Sequence, residues 1–295
     1  MKRERQQQSP GGRQARHRDR CRCHGSQIAM VSALAGYTTA LVDIAEEYVE
    51  RAKSQLESRM NRDVEKGRRS QEDVAAAFDR LTFTTDRDGS AAQTDFVIEA
   101  AVEDLGIKRE LFTELDQICP PHAILATNSS NIVSSRVADA TERPDKVCNF
   151  HFFNPALVME CVEVVPNEHT SAETVETAVA LAKSFGKKPV KLKQETPGFV
   201  ANRLLGALRT EALKLYEEGI ADFEDIDVAA KTALRHPMGP FELMDLVGVD
   251  VVYLIRMAEY EQTGNPESLP RPAIKELYEA GRFGRKSGQG WYSYD

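Results

Sequence analysis

Short runs rich in β-branched and aromatic residues return at intervals through the first two thirds of the chain, separated by segments with helical periodicity. Thr38–Val42, Phe83–Thr84, Phe96–Glu99, Ala123–Thr127, Val147–Phe150 and Val162–Val165 read as strands. Gln27–Ala35, Ile44–Met60 and Lys108–Asp116 read as helices. This alternation leaves few folding options, because successive strands joined by helices pair in parallel and bury both faces. The expected fold class is therefore α/β, a Rossmann-like, doubly wound sheet. Near Thr196-Pro197-Gly198 the pattern becomes almost wholly helical, over Phe199–Glu218, Asp222–Leu234, Pro240–Thr263 and Pro272–Ala280. A Pro-Gly pair at such a switch marks a boundary near residue 195. The expected domains are an α/β nucleotide-binding domain over 25–195 and an all-helical C-terminal domain over 196–295.

Charge is unevenly placed. Residues 1–24 carry a balance of +6 and the remaining 271 a balance of −14, so the acidic body argues against a nucleic-acid partner. No apolar run approaches the roughly 18 residues of a membrane span. The five cysteines form no disulfide framework, which suggests a reducing, cytoplasmic setting. Cys21-Arg22-Cys23-His24 lacks a second ligand pair downstream, so no metal is expected. Residues 1–24 have no apolar segment to serve as a secretory signal and read as an aberrant, disordered tail.

Several residues point to a site. Asp43 ends the Thr38–Val42 run, where a carboxylate can accept from a ribose 2′-hydroxyl and repels a 2′-phosphate, favouring NAD over NADP. It could equally cap a helix beginning at Ile44. The usual partner is a G-x-G-x-x-G loop some 20 residues earlier. Only its last glycine, Gly25, is visible, and Arg20 and Arg22 occupy the other two slots. Thr127-Asn128-Ser129-Ser130 follows a buried strand, where α/β sheets bind ligands or simply begin a helix. His151 stands at a strand end before Phe152-Phe153-Asn154-Pro155. Glu163 lies inside the apolar run Val162–Val165, where a lone carboxylate is costly. If the intervening loop returns, Glu163 can orient His151 as a base–orienter pair.

Together these motifs resemble the L-3-hydroxyacyl-CoA dehydrogenase family, most of all its bacterial 3-hydroxybutyryl-CoA branch. The resemblance runs from about Gly25 to Asp295. It rests on Thr127–Ser130, His151–Pro155, Thr196–Arg203, His236–Asp245 and Gly284–Tyr292. It implies an NAD-dependent oxidoreductase that interconverts (S)-3-hydroxyacyl-CoA and 3-oxoacyl-CoA, with an acyl-CoA substrate and a homodimer. His151 then matches the general base, Glu163 its carboxylate partner, Ser130 the hydroxyl on the substrate oxygen, and Asn202 the amide near the thioester. Asp43, Glu103, Lys108, Ser130 and Asn154 match NAD contacts, with Gly25 in the phosphate loop. Ser58 and Lys66 fall near positions that touch coenzyme A.

The broken loop leaves alternatives: a non-catalytic acyl-CoA-binding dimer, or a related hydroxy-acid dehydrogenase of the gulonate type. It also suggests that residues 1–24 are an out-of-frame translation. Read from the second base of each codon, His17 to Gly25 can encode Ile-Val-Ile-Gly-Ala-Gly-Ala-Met. That string is an apolar strand entering an intact glycine loop.

Overall fold

The computed structural model describes residues 24–294. The reading of residues 1–24 as a displaced frame lies outside the described residues except for His24. The chain divides into two compact units between Phe199 and Val200.

In the first unit residues 24–34 form helix α1. There follow β1 (Thr39–Val42), α2 (Glu46–Glu65), α3 (Gln71–Asp79), β2 (Leu81–Thr84), α4 (Arg87–Ala91) and β3 (Phe96–Glu99). The unit continues with α5 (Leu105–Ile118), β4 (Ile124–Thr127), α6 (Ser135–Ala138), β5 (Val147–Phe152), β6 (Cys161–Pro166), α7 (Ala172–Ser184) and β7 (Lys188–Lys191). The α2 helix begins two residues later and ends five residues later than its sequence pattern indicates, because its Glu- and Arg-rich second half buries Met60 and Asp63. The sequence reading missed α3, the short α4 and α6, α7 and β7. In α3 only Val74 and Ala77 are buried, and β7 is a short, largely exposed edge strand containing Pro189.

Among the described residues the strands form two sheets, β1-β2 and β3-β4-β5-β6-β7. Helix α1 serves both. Ile28 and Val31 pack with Ile124, Ala126, Cys148 and Phe150, whereas Ala29, Met30 and Ala33 pack with Leu41, Leu56, Met60 and Leu81. The opposite face of the larger sheet, through Ala123, Leu125 and Val147, packs on Phe112, Leu115 and Val137. The central strands β4 and β5 are thus covered on both faces, which explains their nearly continuous apolar character.

Four strand pairs are parallel, but β5 and β6 run antiparallel, a departure from the expected all-parallel sheet. The reason is the connection. Residues 153–160 contain no helix that could carry the chain back across the sheet, so β6 returns beside β5 as a hairpin.

The second unit is helical: α8 (Ala201–Glu217), α9 (Phe223–Thr232), α10 (Pro240–Val247), α11 (Val249–Thr263) and α12 (Pro272–Glu279). The single helix expected over Pro240–Thr263 breaks at Gly248, whose φ of +110° a helix cannot hold. Two buried carboxylates tie the unit together. Asp227 accepts from the Phe241 and Glu242 amides and the Tyr292 hydroxyl. Asp245 accepts from the Trp291 and Tyr292 amides and the Tyr294 hydroxyl. Burial raises the Asp227 carboxyl above its ordinary range, against three donors that favour its charge. The motifs His236–Asp245 and Gly284–Tyr292 therefore meet as a structural clasp. A Cβ on Gly290 would sit 2.1 Å from the Asp245 carboxylate, so the clasp admits no side chain there.

Replacing Asp245 with Ala strands two buried amides and should lower unfolding stability by about 2–4 kcal/mol. Urea denaturation followed by fluorescence of Trp291, the chain's one tryptophan, measures it.

Candidate active site

Glu99, Thr127 and His151 stand at or near the carboxyl ends of β3, β4 and β5, the edge where open α/β sheets bind ligands. The antiparallel register of β5 and β6 sets His151 directly opposite Glu163. His151 Nδ1 lies 2.9 Å from Glu163 Oε2, with both side chains buried. A carboxylate only accepts, so Nδ1 carries the ring proton and Nε2 keeps its lone pair. Among the described residues Nε2 has no hydrogen-bond partner. Phe153 and Phe199 meet the imidazole edge-on, at centroid distances of 4.6 and 5.6 Å. The Thr196-Pro197-Gly198-Phe199 turn thereby sets an aromatic ring beside the imidazole. Gly198 and Phe199 both take left-handed φ, +73° and +50°, and the Gly198 amide donates to the Ser130 carbonyl at 3.2 Å. A non-glycine residue in that region is strained, and complete burial of the Phe199 ring compensates.

The loop after β4 is held by Asn149. Its Nδ2 donates to the carbonyls of Ser129 and Ile132 at 3.0 and 3.1 Å, and its Oδ1 accepts from the Ser134 amide at 2.7 Å. Asn128 Oδ1 accepts from the Phe152 amide at 2.8 Å, tying the loop to the strand that carries His151. The half-buried Ser130 hydroxyl has no partner among the described residues.

A second buried group lies at the end of β3. Glu99 Oε1 accepts from Lys108 Nζ and the Ala101 amide, both at 2.6 Å, and Oε2 accepts from the Thr127 hydroxyl at 2.7 Å. Lys108 is 1% exposed, and its ammonium lies 3.6 Å from Glu103 Oε2. Glu103, 33% exposed, accepts from the Ser129 hydroxyl. The structure thus brings Glu103 and Lys108 together but encloses the ammonium, because Glu99 lies directly beneath it. Of its two carboxylate neighbours only Glu103 is exposed.

The remaining candidates lie on other elements. Asp43 follows β1, and its Oδ1 accepts from the Ile44 amide at 2.8 Å. Helix α2 starts only at Glu46 with no side-chain cap, so Asp43 is not its N-cap. Gly25 is in the first turn of α1, and Asn154 is exposed in the turn after β5. Ser58 and Lys66 are exposed on α2 and at its C-terminus. Asn202 is exposed in the first turn of α8, in the helical unit.

Sequence reasoning missed Glu99, Asn149 and Phe199. The first two carry the signal that exposed Glu163, a polar residue within an apolar strand run. It missed His24 too. Burial holds the His24 imidazole below its ordinary value, and its Nε2 lies 3.1 Å from the Phe152 carbonyl.

The family model described as the NAD-binding domain of 3-hydroxyacyl-CoA dehydrogenase matches residues 23–196, and that of the C-terminal domain matches 198–294. The chain is 40% identical to the human mitochondrial hydroxyacyl-coenzyme A dehydrogenase over 276 residues, covering 92% of this chain and 88% of that protein. It is 36% identical to a 3-hydroxybutyryl-CoA dehydrogenase of Clostridioides difficile, covering 92% and 96%. The solved structure of an (S)-3-hydroxybutyryl-CoA dehydrogenase from Ralstonia eutropha superposes with a TM-score of 0.82 at 35% identity, covering 92% of this chain and 95% of that one.

Asn149→Ala removes one acceptor and two donors from a dry site and should destabilise the first unit by about 2–4 kcal/mol. Thermal and urea unfolding followed by circular dichroism give the loss.

Proposed function

This chain belongs to the 3-hydroxyacyl-CoA dehydrogenase family, and from that premise we propose that it interconverts (S)-3-hydroxyacyl-CoA and 3-oxoacyl-CoA with NAD, acting on short acyl chains. The observation that carries the reading is the buried His151–Glu163 pair with Nε2 open.

The described residues fit a nicotinamide dinucleotide. At the end of β1 Asp43 presents a carboxylate oxygen that has no partner among the described residues, suited to a ribose hydroxyl. A Cβ on Gly25 would lie 3.4 Å from that of Ala100, the close approach of helix to strand that the last glycine of a phosphate loop permits. Glu103, 33% exposed, offers a further acceptor. When bound, NAD exchanges hydride with C3 of the substrate.

His151 Nε2 receives the 3-hydroxyl proton in the oxidative direction and returns it in the reductive one. The facing Glu163 carboxylate stabilises the imidazolium and holds the ring. The Ser130 hydroxyl donates to the substrate oxygen, and Asn202 keeps the part the resemblance assigns it, a donor to the thioester carbonyl. Asn154 joins the cofactor contacts, and Ser58 and Lys66 the coenzyme A contacts, on the same ground. No helix among the described residues is long and apolar enough to cross a membrane. The reading includes a homodimer, supported by the exposed Leu204, Leu234, Leu254 and Ile255 of the helical unit. It also includes the cytoplasmic setting that the cysteine usage suggests.

The purified chain should oxidise NADH with acetoacetyl-CoA, and His151→Ala should lower kcat about 10²–10⁴-fold. Glu163→Gln should act in the same direction on kcat rather than KM. An unchanged rate in His151→Ala overturns the assignment of the base. Absence of saturable NADH binding selects the cofactor-free alternative.

A further inference from the structure

Glu99 is the most enclosed carboxylate in the first unit that the proposed chemistry does not use, apart from the partner of His151. Among the described residues the Glu99 carboxylate meets only donors: the Lys108 ammonium, the Ala101 amide and the Thr127 hydroxyl, within 2.6–2.7 Å. A buried ion pair is weak ground for stability, because desolvation of both charges offsets their attraction. Apolar side chains of similar volume would pack the same space between β3 and α5. What such side chains could not do is hold an ammonium in place beneath a second, exposed carboxylate.

That second carboxylate is Glu103. Lys108 stands 2.6 Å from Glu99 but 3.6 Å from Glu103, so the ammonium is engaged mainly from below. Glu103 is steadied by Lys108, the Ser129 hydroxyl and the Ile132 amide, the last at 3.4 Å. It is not closed into a tight ion pair and keeps acceptor capacity toward solvent. Without Glu99, Lys108 would turn wholly to Glu103, and without Lys108 the side chain of Glu103 would lose its charged anchor and keep only the Ser129 and Ile132 donors.

We propose that Glu99 is a positioning residue for cofactor binding: by holding the Lys108 ammonium it keeps Glu103 in place and free to accept from a hydroxyl or amide of the nicotinamide dinucleotide. This rests on the reading of Glu103 as a cofactor contact. The effect passes through one residue, so removing Glu99 should matter only while Glu103 is present.

The test is a cycle of NADH dissociation constants measured by fluorescence titration on the full chain, without turnover. Glu103→Gln should weaken NADH binding about tenfold. Glu99→Gln should weaken it similarly. Because a lysine buried beside a glutamine can unfold the unit, Glu99→Leu with Lys108→Met is made as well, and circular dichroism checks that it folds. This apolar pair should also weaken NADH binding about tenfold, and adding Glu103→Gln to it should bring little further loss. A folded apolar-pair variant with unchanged NADH affinity, beside a weakened Glu103→Gln, overturns the positioning role alone. So does full additivity of the pair with Glu103→Gln, which a merely structural effect would give. Unchanged affinity in Glu103→Gln overturns the cofactor-site reading, and the positioning role falls with it.

Discussion

The hairpin return of β6 beside β5 is the constraint on which the candidate site depends. In a parallel pairing, neighbouring residues on one face are offset along slanted hydrogen bonds, and long crossovers separate them in sequence. The antiparallel ladder places residues directly across from each other, and here it places an imidazole across from a carboxylate. The pair lies on strands buried on both faces, so neither side chain can relax into solvent. The strand scaffold therefore sets the orientation of His151 without help from a flexible loop.

Around that pair the same physical device recurs. A polar side chain is placed where water cannot reach it and is given donors or acceptors from segments distant in sequence. Asn149 gathers the loop after β4, and Glu99 joins β3 to α5 and β4. In the helical unit Asp227 and Asp245 gather the ends of the chain's signature motifs. Left unmatched, each such group would be expensive in a low-dielectric interior, so each specifies one local arrangement over its competitors. The signature motifs divide accordingly. Those of the first unit surround the candidate chemistry, whereas His236–Asp245 and Gly284–Tyr292 build a clasp.

Much of this was legible in the residues. The alternation of strand and helix patterns indicated the α/β unit, and the Pro-Gly pair preceded the helical one. His151 and Glu163 stood out because one ends an apolar strand and the other interrupts one. Asn149 and Glu99 interrupt strands in the same manner, yet a lone polar residue does not reveal its partners. Glu99 is met by Lys108, Ala101 and Thr127 only after β3 and β4 pair and α5 packs. Lys108 was legible as a cation near the site, but its enclosure was not, since burial of a long side chain is decided by what folds over it.

The sequence by itself determined where most of the strands and the long helices lie, because hydrophobic period and turn residues act locally. The direction of β6 was decided only by the tertiary structure. An apolar strand shows the same alternation whichever way it runs, and only pairing with its neighbour distinguishes the two. The opposition of His151 and Glu163 follows from that direction. The turn at Gly198 and Phe199 was likewise decided by the tertiary structure, since a left-handed backbone at Phe199 is tolerable only with its ring buried.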